Sequence, residues 1–506
     1  MTESRLKRIF SEPASLGLVG VLSMFVLVAL WQALILPPYK PLDEPRHAAY
    51  PIVLSQGRLP KMDDKLPSEA MEMAPLKRAN TIMSANHPPL YYAIVGAPIV
   101  IGSRTQHMTA GIKVARVLTL LMAAAGLVFI FRALRQLTPG RPALALAATA
   151  FTASVPAYVN CSAVVMNDAL AFLATAALYD AGLRILLLGP VNRRWIYFYA
   201  WLAVASLSRF TTLLAAAPAV LAVCLAVLVH DPAQLAKRLL RATLAGVAAI
   251  AVVGIASGYF YWRNYQLYGD LTGGKAIFEL LSRKKHAPFS EQIVDIERWF
   301  DLSDQMWSRL AGSVSLQGFN WAGRGFFLVA AIGALKLAYD ERARLRALDW
   351  RSPHVIATAL LGLGLASVIF PIFEYTARGG GFHARYAFTM IWVAWMFVAV
   401  GLAGFRSSIV LTTGVALASI MGLIVNNTYL GKIAGTRGSD FGLYRGFAKA
   451  DMPWPEASAA FMLALFCAAL ALVLRQLGVL ARSATLDSGR RAPHAPEVVR
   501  AEGDAA

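Results

Sequence analysis

Read from the N-terminus, the chain alternates between long apolar runs and short polar connections. Leu16 to Leu36 carries no charged residue, and runs of about 20 apolar residues, the length that crosses a bilayer core, recur along the whole chain. That first run is too long for the core of a signal peptide and lacks a small-x-small cleavage site, so it reads as a retained first span. Further spans are expected from Lys113 into the basic connection at Arg132, and over Ala143–Tyr158, Ala163–Leu188, Trp195–Leu207, Leu213–Val229 and Thr243–Tyr261. Phe326–Leu337, Val355–Phe373, Phe388–Gly404, Ile409–Val425 and Ala460–Leu474 follow. At about 20 residues per span, the pattern predicts an all-α polytopic membrane protein of about twelve transmembrane helices, without internal repeats.

Between these runs lie three longer polar segments, 37–112, 262–325 and 426–455. The first contains a semi-apolar stretch from Pro88 to Gly102, too short for a span and read as a helix at the interface. The second mixes basic and acidic residues and reads as a solvated lobe with short helices. Residues 1–475 form the transmembrane domain, and 476–506, rich in Ala, Arg, Pro and Asp, is expected to be a disordered tail.

Composition agrees, with 57% hydrophobic and 15% charged residues, where a soluble domain has about a quarter charged. The net charge of +19 is explained by its placement. Arg5, Lys7 and Arg8 precede the first span, and clusters at Arg132–Arg141, Arg184–Arg194, Lys237–Arg241, Arg342–Arg351 and Arg475–Arg491 occupy short connections. Short basic loops stay cytoplasmic, which puts both termini inside and the three longer segments outside, and argues against nucleic acid as a partner. Cys161, Cys224 and Cys467 have neither metal-ligand spacing nor a disulfide framework. The N-x-S/T triplets at Asn160 and Asn426 are of a kind that arises often by chance. Asp180 and Arg184, four apart near an inner helix end, are expected to pair.

This topology gathers ionisable and amide groups on the outer face: Asp43, Glu44, Arg46, His47, His87, Asn167, Asp168, Arg263, Asn264, Asp270, Glu374, His383 and Arg385. Ionisable residues at the edge of a bilayer core are costly unless paired or functional; the competing reading is that they cap helices and meet lipid head groups. Pro41-Leu42-Asp43-Glu44-Pro45 leaves the first span directly, and fixed carboxylates are what general-base chemistry needs.

The Asp43-Glu44 pair after the first span is followed by His87-Pro88-Pro89-Leu90-Tyr91-Tyr92, Met166-Asn167-Asp168-Ala169-Leu170 and Ser208-Arg209-Phe210-Thr211. Trp262-Arg263-Asn264-Tyr265 through Asp270 and Ala384-Arg385-Tyr386 complete the series. In this order and loop context the set resembles the GT-C superfamily of membrane glycosyltransferases. It is most similar to the group of protein O-mannosyltransferases, lipid A aminoarabinose transferases and related bacterial membrane proteins. Arg209, where lysine is expected, and Phe382-His383-Ala384, where a glycine is expected before Arg385, depart from that pattern.

The resemblance implies a transferase of the inner or plasma membrane whose active site is extracytoplasmic. An enzyme facing outward cannot draw on cytoplasmic nucleotide sugars, so its donor is expected to be a polyprenyl-phosphate-linked sugar. The acceptor would be a lipid, glycan or protein of the cell envelope, with inversion at the anomeric carbon. Asp43 is then the candidate base, and Glu44 either orients the acceptor or holds a divalent cation. Arg263 and Arg385 would clamp the phosphate through their guanidinium forks. His47 would tune the carboxylates, His87 would bind phosphate or acceptor, and Asn167 and Asp168 would contribute to substrate binding. A transporter or lipid flippase, and a non-catalytic membrane assembly protein, are the alternatives. Convergence of Asp43, Arg263 and Arg385 on one outer cavity would discriminate against both.

Overall fold

In lipid every backbone N–H and C=O must be satisfied within its own segment, so apolar runs of this length become helices. The computed structural model describes residues 12–39, 43–68, 80–284, 286–310, 314–315, 320–340, 342–347, 349, 352–433 and 454–488. The described helices are α1 (Pro13–Ile35), α2 (Glu44–Leu54), α3 (Leu90–Arg104), α4 (Met108–Leu137), α5 (Pro142–Ser154), α6 (Pro156–Ser162) and α7 (Asp168–Leu188). They continue with α8 (Asn192–Ser206), α9 (Phe210–His230), α10 (Leu235–Tyr268), α11 (Gly274–Leu280), α12 (Phe289–Val294) and α13 (Ile296–Trp307). After a two-residue-per-strand hairpin, β1 (Arg309–Leu310) against β2 (Val314–Ser315), come α14 (Asn320–Asp340), α15 (Arg342–Arg346) and α16 (Pro353–Ala377). The last three are α17 (Ile391–Ala403), α18 (Ser408–Ile433) and α19 (Pro455–Ser488).

Each segment read as a span is helical over most of its length. Among the described residues eight helices, α1, α4, α7, α9, α10, α16, α18 and α19, are long and apolar enough to cross a membrane. The pair α5 and α6, bent by 67° at its break, would make a ninth. The 15-residue α8, the 21-residue α14 and the 13-residue α17 are not among these candidates, so among the described residues eight or nine of the about twelve expected spans are found. The bend has a local cause: Val155 precedes Pro156, and proline excludes the α region for the residue before it, here φ −63° and ψ 115°.

Three boundaries differ from the sequence reading. The connection between the expected spans Ala143–Tyr158 and Ala163–Leu188 is largely the short helix α6 (Pro156–Ser162). α10 continues past Tyr261 to Tyr268, so Arg263 and Asn264 stand on a helix and not in a loop. α19 runs through Arg475 to Ser488, so the start of the segment expected to be a disordered tail is helical. Its remainder, residues 489–506, and most of the third outer segment, 434–453, lie outside the described residues, as do Arg5, Lys7 and Arg8.

α7 lies at the centre, packed on α4, α8 and α9, while α1 packs on α19 and α9 on α16. Within lipid there is little hydrophobic drive between helices, so close packing and internal polar bonds hold the bundle. α14 and α17 meet backbone to backbone: a Cβ at Gly333 would collide with the Gly401 carbonyl, and one at Gly401 with the Ala330 carbonyl. A buried amide chain ties α1, α6 and α18. Gln32 Nε2 donates to Asn426 Oδ1 at 2.6 Å, and Asn160 Nδ2 donates to Gln32 Oε1 at 3.2 Å. Both asparagines of the N-x-S/T triplets are thereby committed to the interior. At the other end of the bundle, Asp180 pairs with Arg184 at 3.3 Å as expected, and also with Arg132 at 3.0 Å.

Gly401→Val should force α14 from α17, at a cost of about 1–3 kcal/mol or more for overpacking, and lower the unfolding temperature in detergent. Gly362→Val, at a position with nothing within 4 Å, should leave it unchanged.

Candidate active site

The site is built on a buried arginine. Arg116, in the third turn of α4, has no solvent exposure. Its Nε donates to Glu44 Oε1 at 2.8 Å and its Nη2 to Glu44 Oε2 at 2.6 Å. The remaining donors cap the end of α1: Nη1 reaches the carbonyls of Ala33 and Leu36, and Nη2 that of Pro37. These are carbonyls a helix end otherwise leaves unsatisfied. Glu44 completes the knot by accepting from the backbone N–H of Tyr39 and of Val165, each at 2.9 Å. One ion pair thus joins the end of α1, the start of α2, α4 and the approach to α7. Expected to orient the acceptor or hold a cation, Glu44 is buried with four donors on its two oxygens. Among the described residues no group of three or more His, Cys, Asp or Glu side chains is arranged to hold a metal.

Asp43, one residue earlier, faces the other way. It stands at the N-cap of α2, and its side chain is 32% exposed. Arg46 Nη1 donates to Oδ1 at 2.7 Å and Arg385 Nη2 to Oδ2 at 2.7 Å. Burial acts to raise its pKa, but the guanidinium charges of Arg385 and Arg46 outweigh it and hold the carboxyl well below the usual carboxylate range.

Arg385 comes from the one-turn 3₁₀ helix Ala384–Ala387, between α16 and α17. A second guanidinium approaches from Arg209, which precedes α9 and pairs with Asp168 at the first turn of α7. Arg209 and Arg385 both lie over the Tyr386 ring, 5.8 and 5.6 Å from its centroid. Arg385 Nε and Nη1 and Arg209 Nε are buried without a hydrogen-bond partner. Unmet donors on buried cations are costly, and three of them lie around one ring.

Beside them lie the histidines. His47 Nδ1 and the Tyr92 hydroxyl are 2.9 Å apart, and the His47 and His87 rings stack at 6.2 Å and 12°. Burial pushes His47 down to about 4 against the pull of Asp43 and Asp168, and burial lowers His87 too, helped by the charge of Arg209. Both are neutral near pH 7.

The sequence-predicted residues therefore divide. Asp43, His47, His87, Asp168 and Arg385 gather in one cluster. Asn167 Nδ2 holds the Ser208 carbonyl at 3.3 Å, steadying the residue before Arg209. Arg263 is engaged elsewhere: its Nη2 donates to the carbonyls of Leu59 and Pro60, at 3.2 and 2.8 Å, tying the first outer segment to α10. In place of the expected Asp43, Arg263 and Arg385, the convergence is of Asp43, Arg209 and Arg385. Arg209 belongs to the Ser208-Arg209-Phe210-Thr211 motif. Arg116 belongs to none of the motifs, although a lone arginine inside a span is itself a signal.

Residues 86–262, about a third of the chain, match the family described as dolichyl-phosphate-mannose-protein mannosyltransferase. No curated protein sequence matches the chain. Among solved structures it is similar to ArnT from Cupriavidus metallidurans bound to undecaprenyl phosphate. That likeness has 17% identity over 91% of this chain and 74% of the other, with a TM-score of 0.43. ArnT in the apo state gives 16%, the same coverage and 0.42. The oligosaccharyltransferase AglB from Archaeoglobus fulgidus, in complex with an inhibitory peptide and a dolichol-phosphate, gives 13% over 88% of this chain and 59% of the other, with 0.39.

Glu44→Gln or Arg116→Met should each destabilise the protein by about 3–5 kcal/mol, since each strands a buried partner. The double replacement Glu44→Leu with Arg116→Met should cost less than the two singles together. It should not restore wild-type unfolding temperature, because the Ala33, Leu36 and Pro37 carbonyls would still lack a donor. A pH series tests His47. The unfolded chain binds its proton near pH 6.5 and the folded chain only near 4, so stability should fall as pH drops between those values. That loss amounts to at most about 3 kcal/mol, and His47→Gln should flatten it.

Proposed function

We propose that the chain is a membrane glycosyltransferase of the GT-C type, a reading supported by the family match over residues 86–262, and that it transfers a sugar from a polyprenyl-phosphate-linked donor to a cell-envelope acceptor. The transfer takes place at the extracytoplasmic face of the inner or plasma membrane, with both termini cytoplasmic. The acceptor is a lipid, glycan or protein. The observation that carries this reading is the set of unpartnered guanidinium donors of Arg385 and Arg209 beside the Asp43 carboxylate. A fork of N–H donors fits phosphate oxygens, and a carboxylate next to it can take the proton of an attacking group. The basic clusters in short connections support the orientation.

In the reaction Asp43 removes the proton from an acceptor hydroxyl or amine. The acceptor atom then bonds to the anomeric carbon, and the bond from that carbon to the phosphate oxygen breaks. The electron pair leaves with polyprenyl phosphate, where Arg385 and Arg209 stabilise it; such placed charge is often the largest catalytic contribution. Attack opposite the leaving group inverts the anomeric centre. Without donor, Arg385 holds Asp43 in its ionised form and makes it a poor base. A donor phosphate competes for that guanidinium, and as Arg385 turns to it the proton affinity of Asp43 rises toward an ordinary carboxylate. Arg46 stays to orient the base. Glu44 and Arg116 act by position alone.

Asp43→Asn should lower transfer by about 10²-fold or more, with folding and membrane insertion unchanged. Arg385→Ala and Arg209→Ala should each weaken undecaprenyl phosphate binding about 10-fold, in line with the loss of a charge-assisted hydrogen bond. Envelope glycolipids and glycoproteins compared by mass spectrometry, with and without the protein, would show which sugar disappears and supply the assay. Wild-type transfer by Asp43→Asn would remove the base, and unchanged binding in both arginine variants would remove the phosphate site.

A further inference from the structure

We infer that Gln305, on α13 of the outer lobe, is a positioning residue that sets Arg385 by clamping the backbone in front of it. The inference rests on the reading of Arg385 as a phosphate-binding group. Gln305 lies in a part of the chain remote in sequence from every motif of the site, and its side-chain amide uses all its bonding atoms. Nε2 donates to the Phe382 carbonyl at 3.0 Å and to Asp301 Oδ2, one turn back, at 3.1 Å. Oε1 accepts from the Ala384 N–H at 2.9 Å. The amide orientation is fixed by its partners, since a carbonyl and a carboxylate only accept and an N–H only donates.

The clamp matches the local backbone. His383, between the two clamped residues, is extended at φ −134° and ψ 120°. In extended chain the carbonyl of one residue and the N–H of the second residue after it point to the same edge. The glutamine amide therefore bonds Phe382 and Ala384 as a neighbouring strand would. The next residue is Arg385.

The segment needs an external restraint. It follows Gly379-Gly380-Gly381, with Gly379 at φ +106°, and a glycine run has the freest backbone available. The two glycines after Gly379 are also pressed by their surroundings: a Cβ at Gly380 would run into Tyr375, and one at Gly381 into His383. α13 is itself well anchored. Trp307 is buried against Phe326 and Trp395, and Asp304 pairs with Arg324 at 2.7 Å. Arg298, two turns before Gln305, stands over the Phe382 ring at 5.6 Å. The clamp thus carries the rigidity of α13 into a glycine-led segment whose last member meets Asp43.

Full-length wild type, Gln305→Met, Arg385→Ala and the double variant, in detergent, should be titrated with undecaprenyl phosphate and unfolded thermally. Methionine keeps the volume and removes both clamp bonds. Gln305→Met should weaken binding about 3- to 10-fold, the loss of one or two net hydrogen bonds of about 1 kcal/mol each. In the Arg385→Ala background the same change should have less than about a 2-fold effect, because residues acting through one another are not additive. Equal weakening in both backgrounds would mean that Gln305 acts on the fold or on another group, and would overturn the inference. So would unchanged binding in Gln305→Met while Arg385→Ala is impaired. Unchanged binding in Arg385→Ala would instead overturn the phosphate reading itself. Should Gln305→Met not fold, Gln305→Glu, which keeps the acceptor for Ala384 and loses the donor to Phe382, must show the same coupling to Arg385; additivity there overturns the inference.

Discussion

A guanidinium with no access to water must find a negative charge and an acceptor for each N–H, and the end of the bundle that carries the Asp43 cluster is arranged around that requirement. Arg116 meets it with Glu44 and the last carbonyls of the first span. Because those partners come from separate stretches of chain, their mutual placement follows from one side chain. The first span ends where it does, the polar segment turns where it does, and α2 begins at Glu44. Desolvating two charges is expensive, and a pair so completely bonded is one of the few ways to recover the cost. What the protein gains is a fixed starting point for α2.

From that point two neighbouring carboxylates acquire opposite fates. The side chain of Glu44 goes inward to Arg116, and that of Asp43 goes toward Arg46 and Arg385, a third exposed. The Asp-Glu dipeptide therefore places an anchor and the proposed base side by side. The anchor settles where that carboxylate stands to within a single backbone bond. A similar division holds for Asn167 and Asp168, of which one steadies the backbone at Ser208 and the other holds Arg209.

Much of the helical layout could be read from apolar runs, because in lipid a long apolar run has essentially one folded form. Asp43 and Arg385 could be read as a pair of groups on one face, since topology sorts loops into two sides. Arg263 shows where that reasoning stops. Topology puts it at the right end of the bundle, but its partners are carbonyls at Leu59 and Pro60 that no sequence pattern advertises. Arg116 was hidden for a different reason: its helix begins at Met108, so a residue placed near the rim by hydropathy lies in the third turn. Gln305 carries no charge and sits in a polar lobe, so nothing in composition could distinguish it. The extension of α19 past Arg475 escaped because a polar stretch can continue a helix that has already left the apolar layer.

The Asp43 cluster also sets a charge balance. Three guanidiniums, Arg46, Arg209 and Arg385, stand against two carboxylates, Asp43 and Asp168, leaving one positive charge when both acids are ionised. A sugar joined to a polyprenyl phosphate is a phosphodiester with a single negative charge, and the two would cancel. Once the sugar has left and the acceptor's proton rests on Asp43, the cluster carries two positive charges and faces a phosphate monoester with close to two negative ones. Substrate and product states would then both be near neutral, and the proton shift would keep pace with the charge it has to meet. Release of the carrier lipid would be governed by the same proton, since surrendering it to solvent leaves a monoester with one charge uncompensated.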